Sequence, residues 1–307
     1  MAGPIVVVGS MNLDLVAGAP HIPVPGETVL GHSFETFSGG KGGNQAVAAA
    51  RLGAEVTMIG AVGEDAFGER LRGDLASAGV DVSSIESVEG PSGTALISRG
   101  NGGENSIIVV PGANAALTPA HVEKHLDRIA GAGMVLLQLE VPLETVECVA
   151  RHAAESGAPV MLDPAPAQAL PDALLRNLAW LTPNETEQAI LLDGSDARVE
   201  DAAMLLLARG AKNVALKLGR NGVYIAGRGF QPQLVPGFAV DAVDTTAAGD
   251  VFNAAFAVAL VEGQSAIDAA RFASAAAAVS VTRRGSQASA PSRDEVMNLL
   301  ESLAPVK

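Results

Sequence analysis

One cysteine, Cys148, in 307 residues leaves no intrachain disulfide and no thiolate metal cluster. A lone thiol fits a reducing compartment, so a cytoplasmic protein is the expectation. Aromatic side chains are scarce at 3%, so Val, Ile, Leu and Ala must fill the interior. Basic charge is scarce too: 20 Lys and Arg against 34 Asp and Glu leave a net charge of −14. An acidic chain without a basic block has no broad electrostatic grip on nucleic acid or anionic membrane, and neither is an expected partner. A locally positive site for an anionic ligand remains open. No uninterrupted apolar run is long enough to span a bilayer. The opening MAGPIVVVGS lacks a basic n-region and its apolar run is short, so it is expected to be a first strand and not a signal peptide.

Several chemical signatures are missing as well. There is no G-x-x-x-x-G-K-[ST] phosphate loop, no G-x-G-x-x-G after a strand and no G-x-S-x-G elbow. HVEKH (121–125) puts two histidines four apart but lacks the Glu placement of a zinc-protease helix. They read as two exposed histidines on one helix face.

What is present is a strand–loop–helix rhythm. IVVVGS (5–10), EVTMIGAVG (55–63), MVLLQLE (134–140), APVMLD (158–163) and NVALKLG (213–219) are apolar, β-branched runs suited to strands buried on both faces. NQAVAAARLG (44–53) and AFGERLRGDLASAG (66–79) read as helices stopped by glycine. The alternation predicts an α/β fold, a mainly parallel sheet sandwiched between helices in one domain. Two Gly/Pro/Ser/Thr-rich insertions, at about 13–38 and 91–111, carry short alternating segments such as TALISRG and NSIIVV. They predict small antiparallel strands forming a lid beside the carboxyl ends of the sheet, where ligands of such folds bind. Beyond about residue 264 the chain reads as mostly helical and Ala-rich.

Three stretches carry chemistry. SGGKGGNQAVAAARLG (38–53) sets four glycines before a helix, with Lys41 as a cation and Asn44 at the predicted opening. The glycines can turn backbone N–H groups toward a ligand, or form a plain turn capped by Asn44. VVVGSMNLD (6–14) ends a strand with Asn12 and Asp14, suited to a polyhydroxyl substrate or to an Asx turn. DTTAAGDVFNAAF (244–256) starts a helix near Ala248 to Asp250, whose first N–H groups form an anion site. Such donors are what phosphoryl transfer needs. Asp250 there is either a cap or a general base that takes a hydroxyl proton.

Together, GSMNLD, SGGKGGNQAVAAARLG, TPNETE (182–187) and DTTAAGD resemble the ribokinase (phosphofructokinase-B-type) family of carbohydrate kinases. PVPGETV, GENSIIVVPGANAAL, DPAPA and AAAAVSVTRRGSQAS extend the likeness, in order, over about residues 4–303. The resemblance implies a three-layer α/β/α sandwich with a small β lid and a homodimer clasped through the lids. It implies ATP-dependent phosphorylation of D-ribose at the 5-hydroxyl, with Asp250 as base and the backbone of Ala247, Ala248 and Gly249 as anion hole. Asn12, Asp14, Gly40, Lys41, Asn44 and Glu140 would line the sugar site. Asn184, Glu187, Lys217, Gly219, Gly222, Gly249 and Ser274 would face the nucleotide, with Glu187 holding Mg²⁺ through water. Asp244, Thr246, Ser280, Arg283, Gly285 and Ser289 match positions for an activating K⁺. Lys217 stands where Thr is common in the family, and Ser274 where His or Asn is, which leaves nucleotide preference open. A kinase for a related sugar or nucleoside, such as 2-deoxyribose, is the nearer alternative. A non-catalytic sugar-binding regulator is the more distant one.

Overall fold

The computed structural model describes residues 3–195 and 197–302. Its thirteen strands among those residues are β1 (Ile5–Val8), β2 (Asn12–Gly18), β3 (Ser33–Gly39), β4 (Val56–Gly63), β5 (Asp81–Val88), β6 (Gly93–Arg99), β7 (Asn105–Val110), β8 (Met134–Leu137), β9 (Val160–Leu162), β10 (Trp180–Leu181), β11 (Asn213–Lys217), β12 (Val223–Gly227) and β13 (Gln233–Val235). Nine form one sheet, ordered β13-β12-β11-β10-β9-β8-β1-β4-β5. It is parallel from β11 to β5, and β12 and β13 add an antiparallel edge.

The β-branched run of β1 explains its central place. Ile5 and Val7 point to one apolar layer, packed with the helices Lys41–Arg51, Ala248–Val261 and Ala266–Ser280. Val6 and Val8 point to the other, with Leu143–Ser156 and Val199–Ala208. All four are fully buried, as a strand covered on both faces requires. Alanines fill the seam between Ala248–Val261 and Ala266–Ser280, where small side chains let two helices lie close. Trp180 packs edge-on against Phe256 at 4.7 Å between ring centroids, concentrating scarce aromatic bulk at one end of the core.

The remaining four strands form a separate sheet, ordered β3-β2-β6-β7. The sequence predicts antiparallel strands here. Two pairs are antiparallel, but β2 and β6 run parallel because each enters the sheet from the same end of the large one. Asn12 and Asp14 therefore lie on β2 itself and not in a turn beyond β1.

Two local expectations change. The helix containing Asn44 opens at Lys41, after Gly40 at φ 82°. A Cβ on Gly40 would come within 2.6 Å of the Asn12 backbone nitrogen, and one on Gly42 within 2.7 Å of that of Ser10. Glycine thus lets this helix start directly against the chain leaving β1. The two histidines of HVEKH do not share a continuous helix. Pro119–Val122 gives way to a 3-10 turn over Glu123–His125. His121 caps with Thr118 and approaches Glu86, and His125 is half-buried, so burial depresses its pKa.

Candidate active site

The starts of two helices meet at the carboxyl end of the sheet. Asp250 sits in the first turn of Ala248–Val261, 4% exposed. Its carboxylate accepts from Asn44 Nδ2 at 2.9 Å and Gln45 Nε2 at 3.2 Å, both from the helix Lys41–Arg51. These bonds to a neighbouring helix are not those of a cap. Burial pushes the Asp250 carboxyl up to about 6. Lys41 and the two amides pull against that rise, and the nearby Asp163 adds to it. The residue before the helix, Ala247, is left-handed at φ 59°, a backbone state that costs a non-glycine residue energy. Of the N–H groups expected in an anion hole, that of Ala248 donates to Thr245 O at a long 3.3 Å.

Two cavities adjoin this loop. A polar one of about 450 Å³ is lined by Lys41, Asn184, Glu187, Lys217, Asp250 and the Ala247–Gly249 backbone, among others. A more apolar one of about 580 Å³ includes Gly222, Phe238, Val240, Phe252, Ser274 and Ala277. Lys217, Gly219, Ala248 and Gly249 line both. The expected nucleotide residues are thus brought to one continuous wall, apolar at one end and charged at the other. Gly222 is at φ 100°, where a Cβ would meet Val235 O at 2.1 Å. Glu187 and Asn184 form a reciprocal capping box at the start of Glu185–Leu191. Burial raises the Glu187 carboxyl, against the pull of Lys217.

Of the expected sugar residues, Lys41 lines the polar cavity, Asn44 and Glu140 bond to its lining at Asp250 and the Lys41 backbone N–H, and Asn12 and Asp14 bond to residues outside it. Asn12 accepts from Asn114 Nδ2 at 2.7 Å. Asp14 accepts from Ser286 Oγ at 3.2 Å. Burial raises the Asp14 carboxyl to about 6, Ser286 opposes that, and Glu140 and Asp250 reinforce it. Glu140 lies three residues past β8 and accepts from Ser10 Oγ and from the Lys41 backbone N–H. Burial disfavours the Lys41 ammonium, but Asp250, Asp163, Glu140 and Glu187 outweigh it and hold its pKa above the ordinary lysine range.

A match to the pfkB family carbohydrate kinase model covers residues 3–293. The chain belongs to that family. It is 45% identical over 300 residues to the ribokinase of Bacillus subtilis (strain 168), spanning 96% of this chain and 99% of that one. It is 42% identical over 305 residues to the ribokinase of Haemophilus influenzae, spanning 98% and 99%. The solved structure of Arabidopsis thaliana ribokinase complexed with ribose and ATP superposes with a TM-score of 0.92 at 38% identity, covering 98% of this chain and 99% of that one.

In this carbohydrate kinase the six residues matched to a cation site are not all placed alike. Asp244 accepts from the Thr246 N–H and Oγ1 and from the Gly285 N–H. Burial alone would raise the Asp244 carboxyl; these bonds outweigh it and hold it below the usual range. Ser280 and Ser289 are fully buried, and their hydroxyls donate to backbone carbonyls. The Arg283 guanidinium turns away to Glu295, so only its backbone faces Ser280 O.

Sequence reasoning assigned no role to Gln45, Asn114, Asp163 or Ser286. Asp163 and Gln45 lie inside the quoted stretches DPAPA and GGNQAV, and Asn114 and Ser286 inside GANAAL and RRGSQAS. Their polarity amid apolar runs was the available signal.

Proposed function

We propose that the protein transfers the γ-phosphoryl of ATP to the 5-hydroxyl of D-ribose, giving D-ribose 5-phosphate. The observation that carries this reading is the buried Asp250 carboxylate, held by Asn44 and Gln45 in the wall of the polar cavity. Asn12, Asp14, Gly40, Lys41, Asn44 and Glu140 hold the sugar hydroxyls. A carboxylate such as Asp14 can accept from two of them. Asp250 accepts the O5 proton as that oxygen attacks, and the Ala247–Gly249 backbone donates to the oxygens of the transferring group. The apolar cavity takes the base, with Ser274 at its wall. Lys217, Gly219 and Gly222 border the polyphosphate.

Mg²⁺ arriving with ATP would be held by Glu187 beside Asn184, largely through water. An all-oxygen donor set suits a hard cation that keeps its waters. When bound, it offsets charge on the phosphate oxygens. K⁺ would lie among Asp244, Thr246 and the carbonyls of Ser280, Arg283, Gly285 and Ser289, where an ionised Asp244 and buried oxygens match its chemistry. The four-stranded sheet acts as a lid that excludes water as a competing acceptor, and as the dimer contact. A cytoplasmic setting agrees with the single unpaired Cys148.

The test is ADP release in an enzyme-linked assay over a panel of sugars. D-Ribose is expected to give the highest kcat/KM; preference for 2-deoxyribose or a nucleoside would replace the substrate. Sugar binding without ADP release would make the protein a regulator. Replacing KCl by tetramethylammonium chloride at equal ionic strength is expected to lower turnover. Equal rates would remove K⁺ from the mechanism.

A further inference from the structure

We infer that Asp163 and Lys217 act as one charge-matched unit in the polar cavity. Asp163 is a positioning residue that holds the Lys217 ammonium beside the anion hole and neutralises it until polyphosphate arrives. The inference rests on the ATP-kinase reading above.

Lys217 Nζ donates to Asp163 Oδ1 at 2.8 Å, with side chains 12% and 3% exposed. Both backbones are tied down. Asp163, just past β9, donates its N–H to Leu137 O, and Lys217, closing β11, donates to Pro183 O. A Cβ on Gly249 would stand 3.4 Å from Lys217 Nζ, so the ammonium lies against the phosphate loop. Both residues line the polar cavity, and Lys217 lines the apolar one as well. The other Asp163 oxygen, Oδ2, accepts from Gln45 Nε2 at 3.3 Å. That same amide reaches Asp250 Oδ1, and Gln138 Nε2 in turn donates to Gln45 Oε1 at 2.7 Å. The pair is therefore built into the network that holds the proposed base.

Lys41, Glu187 and Asp250 also face this space. Glu187 also feels the Lys217 ammonium and Lys41 also feels the Asp163 carboxylate. The direct bond at 2.8 Å is nevertheless the one each of the two would lose, and a buried charge stripped of its hydrogen-bonded partner is costlier than the intact pair. A compact ammonium is also a good partner for phosphate oxygens. Nucleotide entry gives Lys217 a second acceptor without removing the first. If Lys217 is lost, Asp163 keeps the Gln45 amide and the more distant Lys41 but loses its directly bonded cation, and its negative charge then faces the polyphosphate.

The experiment compares wild type, Lys217→Met, Asp163→Asn and the double variant. It measures the ADP dissociation constant by calorimetry and the KM values for ATP and ribose. Lys217→Met is expected to weaken ADP binding on the order of a hundredfold, within the range for truncating one partner of a buried, hydrogen-bonded charge pair. Adding Asp163→Asn to it is expected to restore binding at least about tenfold, because the carboxylate that lost its bonded cation is gone. KM for ribose should stay within about twofold while the ATP terms move. Thermal unfolding identifies a variant that does not fold, and Lys217→Gln then takes the place of Lys217→Met with the same order expected. A double variant that binds ADP no better than the lysine variant overturns the pairing. So does a ribose KM that moves as far as that of ATP, which would indicate a merely structural clamp between β9 and β11. Wild type that binds no ADP overturns the kinase reading itself.

Discussion

Asp250 can accept a proton only as a carboxylate, and burial lifts its pKa to about 6. The free enzyme's kcat/KM is therefore expected to rise with pH through about 6 and level off above it. Asp14 titrates in the same range, so the acid limb should be steeper than a one-proton slope, as initial rates across a buffer series will show. Asp250→Asn keeps the shape but cannot take the proton. Turnover should fall by about 10²–10⁴ while ADP binding survives, and near-normal turnover would reject the base assignment. The stability effect has a definite sign. A carboxyl whose folded pKa is raised contributes stability that is complete below its ordinary value and lost as pH rises through its folded one. Asp250→Asn is thus expected to raise Tm more at about pH 8 than at about pH 5 in thermal melts.

The helix Lys41–Arg51 links both sides of the site. Its start carries Asn44 and Gln45 to the Asp250 carboxylate, sets the Lys41 charge close enough to oppose the rise in its pKa, and joins the Lys41 backbone N–H to Glu140. At its other end, Arg51 donates to the carbonyls of Gln287, Ala288 and Ala290. That fixes the loop from which Ser286 reaches Asp14. The start of this helix depends on Gly40, left-handed and backed by Asn12 and Met11 backbone. Gly40→Ala is expected to cost about 1–3 kcal/mol from backbone strain alone and to raise the ribose KM. Denaturant unfolding and a ribose titration check the two halves separately. From the sequence, SGGKGGNQ reads as either a ligand-facing turn or a plain turn capped by Asn44, with the helix opening at Asn44, whereas the helix opens three residues earlier at Lys41. Glycines at 42 and 43 look like helix breakers until the chain leaving β1, at Gly9 to Met11, is seen to lie against them.

At the scale of the molecule, the lid is the part whose surface departs from the rest. Its outer strand β7 is exposed along its length, with Ile107, Ile108, Val109 and Val110 open to solvent and Ile108 at 62%. An apolar edge strand of this kind invites pairing with another chain. The proposed occupant is the lid of a second copy. Ile108→Asp is expected to shift sedimentation from dimer to monomer at micromolar protein; an unchanged profile would move the dimer contact elsewhere. Among the described residues no helix is long and apolar enough to cross a membrane.

Five strands of the large sheet, β1, β4, β8, β9 and β11, the alternation with helices and the chemically telling stretches were legible in the linear chain, whereas β5, β10, β12 and β13 were not. Periodicity, glycine placement and polar residues set amid apolar runs are local properties. Short-range pattern could not tell that β2 and β6 run parallel, since that depends on where two distant segments leave the large sheet. Nor could it reveal the Asp163–Lys217 pair or the Gln45 bridge, whose members lie 54 and 118 positions apart for the bonds Asp163 makes. The sequence by itself determined which residues could accept a proton or meet a phosphate. Only the tertiary structure decided which carboxylates are buried among cations and amides, because burial and charge pairing arise when separate helices and strands converge.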